Sequence, residues 1–167
     1  MTNCHTIFLS LGSNVGDREA NLAKAIEALP PGVQPGARSR LYETAPWGYL
    51  DQPNFINMAL QATTSLNPLD LLHHLKAVEA RVGRVPTFKN GPRVVDIDLL
   101  FYDDLVFESQ ELLIPHRGID SRGFVLVPLA DIAPDFRHPV LDLTVAEMLD
   151  RIDASSVWDF THRDAQP

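Results

Sequence analysis

The sequence predicts an α+β fold: an antiparallel sheet packed by helices, with additional C-terminal helices and a short hairpin. Two observations predict it. Hydrophobic periodicity switches between two and about 3.6 residues along the chain, in the order strand-helix-strand-strand-helix-strand. Capping residues, glycines and prolines punctuate the chain where the period changes. The βαββαβ order fits a split β-α-β, ferredoxin-like sheet. A chain of 167 residues is long enough for one domain with a real core, here expected to span 1–167.

Thr6 to Leu11 is nearly all apolar and predicts a central first strand. Gly12-Ser13-Asn14-Val15-Gly16-Asp17 is a turn-rich loop, and without a following Gly-Lys-Ser/Thr it is not a P-loop. Asp17 caps a helix to Leu29 with Leu22, Ala25, Ile26 and Leu29 as its apolar stripe, ended by Pro30-Pro31-Gly32. A second strand is expected over Gly36–Tyr42. It leads into a loop containing Ala45, Trp47 and Gly48, which either faces a ligand or is anchored by a buried Trp47.

Phe55 to Thr64 is the third strand. Ile56, Met58, Leu60 and Ala62 share its apolar face, and Phe55, Asn57, Ala59 and Gln61 the other. A ring and an amide two residues apart suit a flat heterocycle, although Asn57 also reads as an ordinary outward polar residue. Asn67 and Pro68 open a second helix whose stripe is Leu71, Leu75, Val78 and Val82, with Gly83 at its end. Residues 85–90 form a loop able to close over a ligand.

From Val94 the chain becomes a strand again. Val95, Ile97, Leu99 and Phe101 are expected on one face, and Asp96 and Asp98 on the other with Val94, Leu100 and Tyr102. At about 3.3 Å per residue the two aspartate Cα atoms lie roughly 6.5–7 Å apart. A solvated sheet face tolerates such a pair, whereas a concave site requires a cation, and few hard oxygen ligands suit Mg²⁺. Lys89 and Arg93 in the adjoining Gly-Pro turn place positive charge nearby.

Residues 105–107 and 112–114 suggest the hairpin, and Pro115 to Phe124 brings together His116, Arg117, Arg122 and Phe124. That segment is either ligand-facing or a solvated turn. Phe124 to Ile132 and Thr144 to Ile152 are the last helices, the second with a Thr144/Glu147 capping box. From Ala154 a weakly ordered tail is expected, apart from Trp158 and Phe160, with its loosest part from about 161.

Composition narrows the function. A net charge of −8 argues against general nucleic-acid binding. Residues 76–122 nevertheless hold seven of the fourteen Lys and Arg, so a polyanionic ligand is expected there. No apolar run approaches the roughly 20 residues of a membrane span. No signal peptide is visible, and Cys4 alone allows no internal disulfide, which points to the cytosol. Cys4 itself is expected to be a half-buried thiol near the first strand.

The string Lys89-x-Gly91-Pro92-Arg93-x-x-Asp96-Ile97-Asp98-Leu99-Leu100 resembles the signature of the 6-hydroxymethyl-7,8-dihydropterin pyrophosphokinases of folate biosynthesis. Gly12-Ser13-Asn14, Thr44-x-Pro46-x-Gly48, Asp51-Gln52-Pro53-x-Phe55-x-Asn57, Glu79-x-x-x-Gly83-Arg84, Pro115-His116 and Arg122-Gly123-Phe124 match in order. Asn90 and Arg117 depart from the Trp and Tyr common in the family at those places, and Pro86 from a position often basic. The resemblance implies transfer of diphosphate from ATP to a reduced pterin, releasing AMP, by a monomer. It implies two Mg²⁺ ions on Asp96 and Asp98, with Arg93 and Arg122 also catalytic. Nucleotide contacts would come from Glu79, Arg84, Arg93, Ile97, Leu99, His116, Arg117 and Arg122. Thr44, Ala45, Trp47, Phe55, Asn57 and Phe124 would hold the pterin. Two rivals keep parts of this reading: an Mg²⁺-dependent phosphotransferase acting on another small alcohol, and a non-catalytic ligand-binding domain.

Overall fold

A computed structural model describes residues 3–160; the expected loose tail from 161 lies outside the described residues. The elements run β1 (His5–Ser13), α1 (Arg18–Ala28), β2 (Val33–Arg38), β3 (Tyr42–Thr44), β4 (Phe55–Thr64), α2 (Pro68–Val82) and β5 (Asp96–Tyr102). They continue with β6 (Phe107–Glu108), β7 (Leu113–Ile114), a 3₁₀ turn (Ile119–Ser121), α3 (Gly123–Ile132), α4 (Val145–Asp150) and β8 (Val157–Asp159). The main sheet has the order β5-β1-β4-β3-β8, β2 also pairs with β4, and all these pairings are antiparallel. Strands β6 and β7 make a separate hairpin.

The sheet separates two apolar layers. On one face Ile7, Leu9 and Leu11 of β1 and Ile56, Met58 and Leu60 of β4 pack with the buried stripes of α1 and α2. Both helices begin as their sequences demand. Asp17 accepts from Ala20 N–H and Asn67 from Asp70 N–H, satisfying amides that have no partner inside the helix. Helix α2 stops at Gly83, whose φ of 122° lies outside the range open to most side chains. On the opposite face Phe8, Ala59 and Phe101 pack with Val125, Leu126 and Leu129 of α3 and Val145 and Met148 of α4. These two helices cover only part of that face, which leaves the rest open as a cleft.

Five expectations change. The second strand starts earlier, at Val33, and breaks at 39–41 before resuming as β3. The break is filled by a side chain: Ser39 Oγ accepts from Ala59 N–H at 2.8 Å. Strict alternation along β5 fails after Leu99, because the β1 register slips between Phe8 and Leu9. Leu9 pairs with Leu99 and Phe8 with Phe101, so Leu100 is an extra bulged residue. Phe101 therefore joins the α3/α4 layer and Tyr102 the α1/α2 layer, the reverse of simple period two. Residues 157–159, expected in the tail, form the edge strand β8 on β3. Cys4 is exposed, and α4 ends at Asp150 rather than Ile152.

Candidate active site

The cleft lies on the α3 side of the sheet, over its end nearest the β1–α1 loop, and has a volume of about 670 Å³. Its floor is two small residues on the central strand, Ser10 and Gly12. Register places Asp98 beside Ser10 and Asp96 beside Gly12 on one flank, and Asn57 beside Gly12 on the other. With neighbouring strands about 4.8 Å apart, acids and amide stand roughly 10 Å from each other across the floor. Gly12 is required by close approach: a Cβ there would meet Asn57 Oδ1 at 2.9 Å and the Phe55 ring at 3.5 Å. The sequence marks Gly12 as a turn residue and as part of the Gly12-Ser13-Asn14 match, but does not show this contact. The signal was the pairing of β1 with β4, which a single strand does not reveal.

On the acidic flank, Asp96 is gripped from both sides. Arg84 Nη1 donates to Oδ1 at 3.0 Å and Arg93 Nη1 to Oδ2 at 2.7 Å. Arg84 also pairs with Glu79, which is 4% exposed and accepts from Ile97 N–H at 3.1 Å. Burial pushes the Glu79 carboxyl above its ordinary range, against the pull of Arg84. Burial also opposes the charge on Arg84, but Glu79 and Asp96 more than offset it, and the guanidinium is held more firmly protonated.

Asp98 is treated differently. Its one ion-pair contact among the described residues is His116 Nε2 at 3.9 Å. Burial in the cleft, and then the adjacent Asp96, push its carboxyl up to about 6. Its side chain keeps 38% exposure, so water still reaches it from the mouth. His116 Nδ1–H donates to the Arg117 carbonyl at 2.8 Å, which leaves Nε2 turned toward Asp98.

The other flank carries rings and amides. Asn57 Nδ2 donates to Thr44 Oγ1 at 2.8 Å, and both residues are buried. Phe55, Ala45, Trp47 and Phe124 also line the cleft. Trp47 is 61% exposed, so it is not the buried anchor that was one reading of the loop. Arg122 lies between the two flanks, with its guanidinium carbon 5.2 Å from the Trp47 ring centre and 6.0 Å from that of Phe124.

The fold thus brings all sixteen predicted site residues to one cleft. Ile97 and Leu99 are there although their side chains are buried in the α1/α2 core, because β5 is an edge of the sheet. The exception among the expected charges is Lys89, which is exposed and does not line the cleft; Arg84 takes the place beside Asp96 instead. Lys76 and the 108–113 hairpin segment also border the cleft and were not anticipated.

Among the described residues, no group of three or more His, Cys, Asp or Glu side chains is placed to hold a metal ion. Asp96 and Asp98 supply hard oxygens only. That donor set fits a cation taking the rest of its shell from water and a ligand's phosphate oxygens, as Mg²⁺ does.

Comparison with known proteins agrees with this geometry. A family model described as 7,8-dihydro-6-hydroxymethylpterin-pyrophosphokinase (HPPK) matches residues 8–134. The chain belongs to the HPPK family. A 2-amino-4-hydroxy-6-hydroxymethyldihydropteridine pyrophosphokinase of Methylorubrum extorquens is 45% identical over 152 residues, covering 90% of this chain and 95% of the relative. The protein of that description from Aquifex aeolicus is 45% identical over 135 residues, 81% of this chain and 84% of its own length. The folic acid synthesis protein FOL1 of Dictyostelium discoideum is 42% identical over 142 residues. The match takes 85% of this chain but only 22% of FOL1. Among solved structures, Plasmodium falciparum HPPK-DHPS with pteroate superposes with a TM-score of 0.73 at 18% identity, covering 90% of this chain and 43% of that one. The HPPK family's fold therefore occurs both as a short chain and as part of longer ones.

Proposed function

We propose that this chain transfers diphosphate from ATP to the hydroxymethyl group of 6-hydroxymethyl-7,8-dihydropterin, releasing AMP, as a step of folate biosynthesis. The observation that carries the reading is the pairing of an aspartate flank with a ring-and-amide flank across Ser10 and Gly12, in a chain of the HPPK family. We also read the order β5-β1-β4, with β2 and β3 both on the far side of β4, as a ferredoxin-like sheet whose second strand is cut in two.

In this mechanism the pterin hydroxyl oxygen bonds to the β-phosphorus as the bond from that phosphorus to the α,β-bridging oxygen breaks. AMP leaves with the bridging oxygen. Such a reaction asks for alignment and charge neutralisation more than for covalent work by the protein. Asn57 and Thr44 read the pterin edge, while Phe55 and Phe124 enclose its ring. Asp96 and Asp98 would hold Mg²⁺, which offsets phosphate charge, polarises the β-phosphoryl group and lowers the pKa of the attacking hydroxyl. Arg93 stands against Asp96 and Arg122 between the flanks, where negative charge grows on the transferring group. Arg84 and His116 lie on the same acidic flank, within reach of nucleotide oxygens.

The test is an assay with ATP, Mg²⁺ and the reduced pterin. AMP and pterin diphosphate should appear in equal amounts. Formation of ADP, or no AMP with any reduced pterin, overturns the reading.

A further inference from the structure

Ser10 and Gly12 together floor the cleft, and of the two only Ser10 brings a hydrogen-bonding side chain to it. Ser10 is 7% exposed, yet its hydroxyl has no hydrogen-bond partner among the described residues. No fully enclosed side-chain oxygen among the described residues lacks a partner. The Ser10 Oγ is therefore reached from the cleft it lines and is not sealed inside the sheet.

The strand sets where this oxygen points. On β1, Ile7, Leu9 and Leu11 pack in the α1/α2 layer and Phe8 in the α3/α4 layer. Ser10 and Gly12 continue the side of Phe8 at period two. Ser10 thus stands one step inward from Gly12, between the open floor and the contact of Phe8 with Phe101. Its register partners are Asp98 on β5 and Ala59 on β4. Side chains directly opposite start about 4.5–5.5 Å apart at Cβ, and diagonal ones about 7–8 Å. Asp98 is a direct neighbour, and Asn57, opposite Gly12, a diagonal one.

Neither neighbour uses the hydroxyl. Ala59 offers a methyl group, and the ion-pair contact of Asp98 is His116. A hydroxyl taken out of water without a partner is unfavourable, and alanine would fill the same space without that penalty. A bound molecule can supply the missing partner. The ring flank stands on β4 and the acids on β5, with β1 between them. An arm running from a ring beside Asn57 to a phosphate beside Asp98 must cross β1 next to Ser10.

We infer that Ser10 contacts the substrate: its Oγ accepts a hydrogen bond from the primary hydroxyl on the one-carbon arm of the ring ligand and holds that oxygen toward the acidic flank. The inference rests on the proposed function. It assigns the attacking oxygen a protein contact separate from those that hold the ring edge and the nucleotide.

Equilibrium titration of the full chain and of Ser10→Ala tests it, with Mg²⁺ and α,β-methylene ATP present. The two ligands compared are 6-hydroxymethyl-7,8-dihydropterin and 6-methyl-7,8-dihydropterin, which lacks the oxygen. Ser10→Ala should bind the hydroxymethyl ligand about five-fold more weakly, the loss of one neutral hydrogen bond, and the methyl ligand within about two-fold of the parent. The rate constant kcat should fall about ten-fold as the attacking oxygen loses its alignment, while KM for ATP stays within about two-fold. The Tm should be no lower than the parent's, because no bond within the protein is lost. Equal weakening of both ligands would make Ser10 part of the shape of the floor and overturns the inference. So does a loss for the hydroxymethyl ligand below about two-fold, or a raised KM for ATP with ring binding unchanged. A Tm lowered by several degrees overturns it as well, since the hydroxyl would then serve the fold. A parent that binds both ligands but releases no AMP defeats the proposed function, and the binding comparison alone then decides the contact. A parent that binds neither ligand defeats both.

Discussion

The two edges of the sheet carry similar ingredients and use them oppositely. At the β8 edge, Arg40 pairs with Asp131 of α3 at 3.2 Å and with Asp159 of β8 at 2.9 Å, and Tyr42 O–H donates to Asp131 at 2.8 Å. The acids come from different elements and face one guanidinium from two sides. Burial and the Asp131 bond push the Tyr42 phenol up to about 12, so it remains a donor at any physiological pH. At the β5 edge both acids stand on one strand, two residues apart and on one face. They cannot separate, and two arginines serve Asp96 while Asp98 has only His116 at 3.9 Å. Acids on separate elements make a clamp. Acids on one strand concentrate negative charge that a bound cation would relieve.

The largest effect should come from removing that concentration. On the proposed reading, Asp96→Ala or Asp98→Ala should lower AMP release by at least about a thousand-fold, because several kcal/mol of transition-state charge stabilisation would depend on the ion these residues would hold. Circular dichroism and a cooperative melt should show the fold intact. Near-parental turnover with Mg²⁺ in either variant would erase the distinction between the edges.

The ring flank gives a smaller loss of a different kind. Phe55→Ala should raise KM for the pterin about ten-fold, the worth of one stacked ring near 1–1.5 kcal/mol, with little change in KM for ATP. Equal changes in both constants would mean that Phe55 shapes the whole cleft rather than one flank.

The β8 edge should respond in stability instead of chemistry. Asp131→Ala strands the Tyr42 hydroxyl and three bonds of Arg40, one of them from its backbone N–H, at a cost of about 1–2 kcal/mol in denaturant unfolding. KM for both substrates should hold. A fall in kcat with unchanged stability would show that this edge, too, reaches the chemistry.

The smallest effect is a pH slope. Asp98 titrates near 6 in the folded protein against about 3.9 in an unfolded chain, so folding favours its protonated form. Its contribution to stability is complete below about pH 4 and disappears as pH rises through 6. Full linkage over two units would be near 3 kcal/mol, but a side chain 38% exposed is screened by water, and about 1 kcal/mol is expected. Without Mg²⁺, Asp98→Asn should abolish that slope between pH 4 and 6 in denaturant melts. An unchanged slope would assign it to other groups.

The sequence made the local features legible and left the pairings hidden. The caps at Asp17, Asn67 and Thr144 and the stripes of α1 and α2 depend on neighbours a few residues away, and all are found. The aspartate strand and the Phe55/Asn57 face could be read from alternation. What could not be read depends on partners far along the chain. Edge strand β8 is only three residues long, too short to show a period of its own, and exists through β3. The need for Gly12 comes from Asn57 across the sheet. Arg84 reaches Asp96, and Lys89 does not, because the glycine stop of α2 turns the chain there.

The bulge at Leu100 has a consequence for chain length. One surplus residue lets positions of opposite parity serve one side of the sheet, the aspartates toward the cleft before it and Phe101 into the cluster with Phe8 and Phe136 after it. Regular pairing of this strand at its present length would turn that ring into the α1/α2 layer and leave a hole under α3, whereas deleting Leu100 would keep the ring two steps from Asp98 and on its side. Residue count and bulge are therefore linked: relatives that keep both layers need the bulge where three steps separate the second aspartate from the ring, and none where two do.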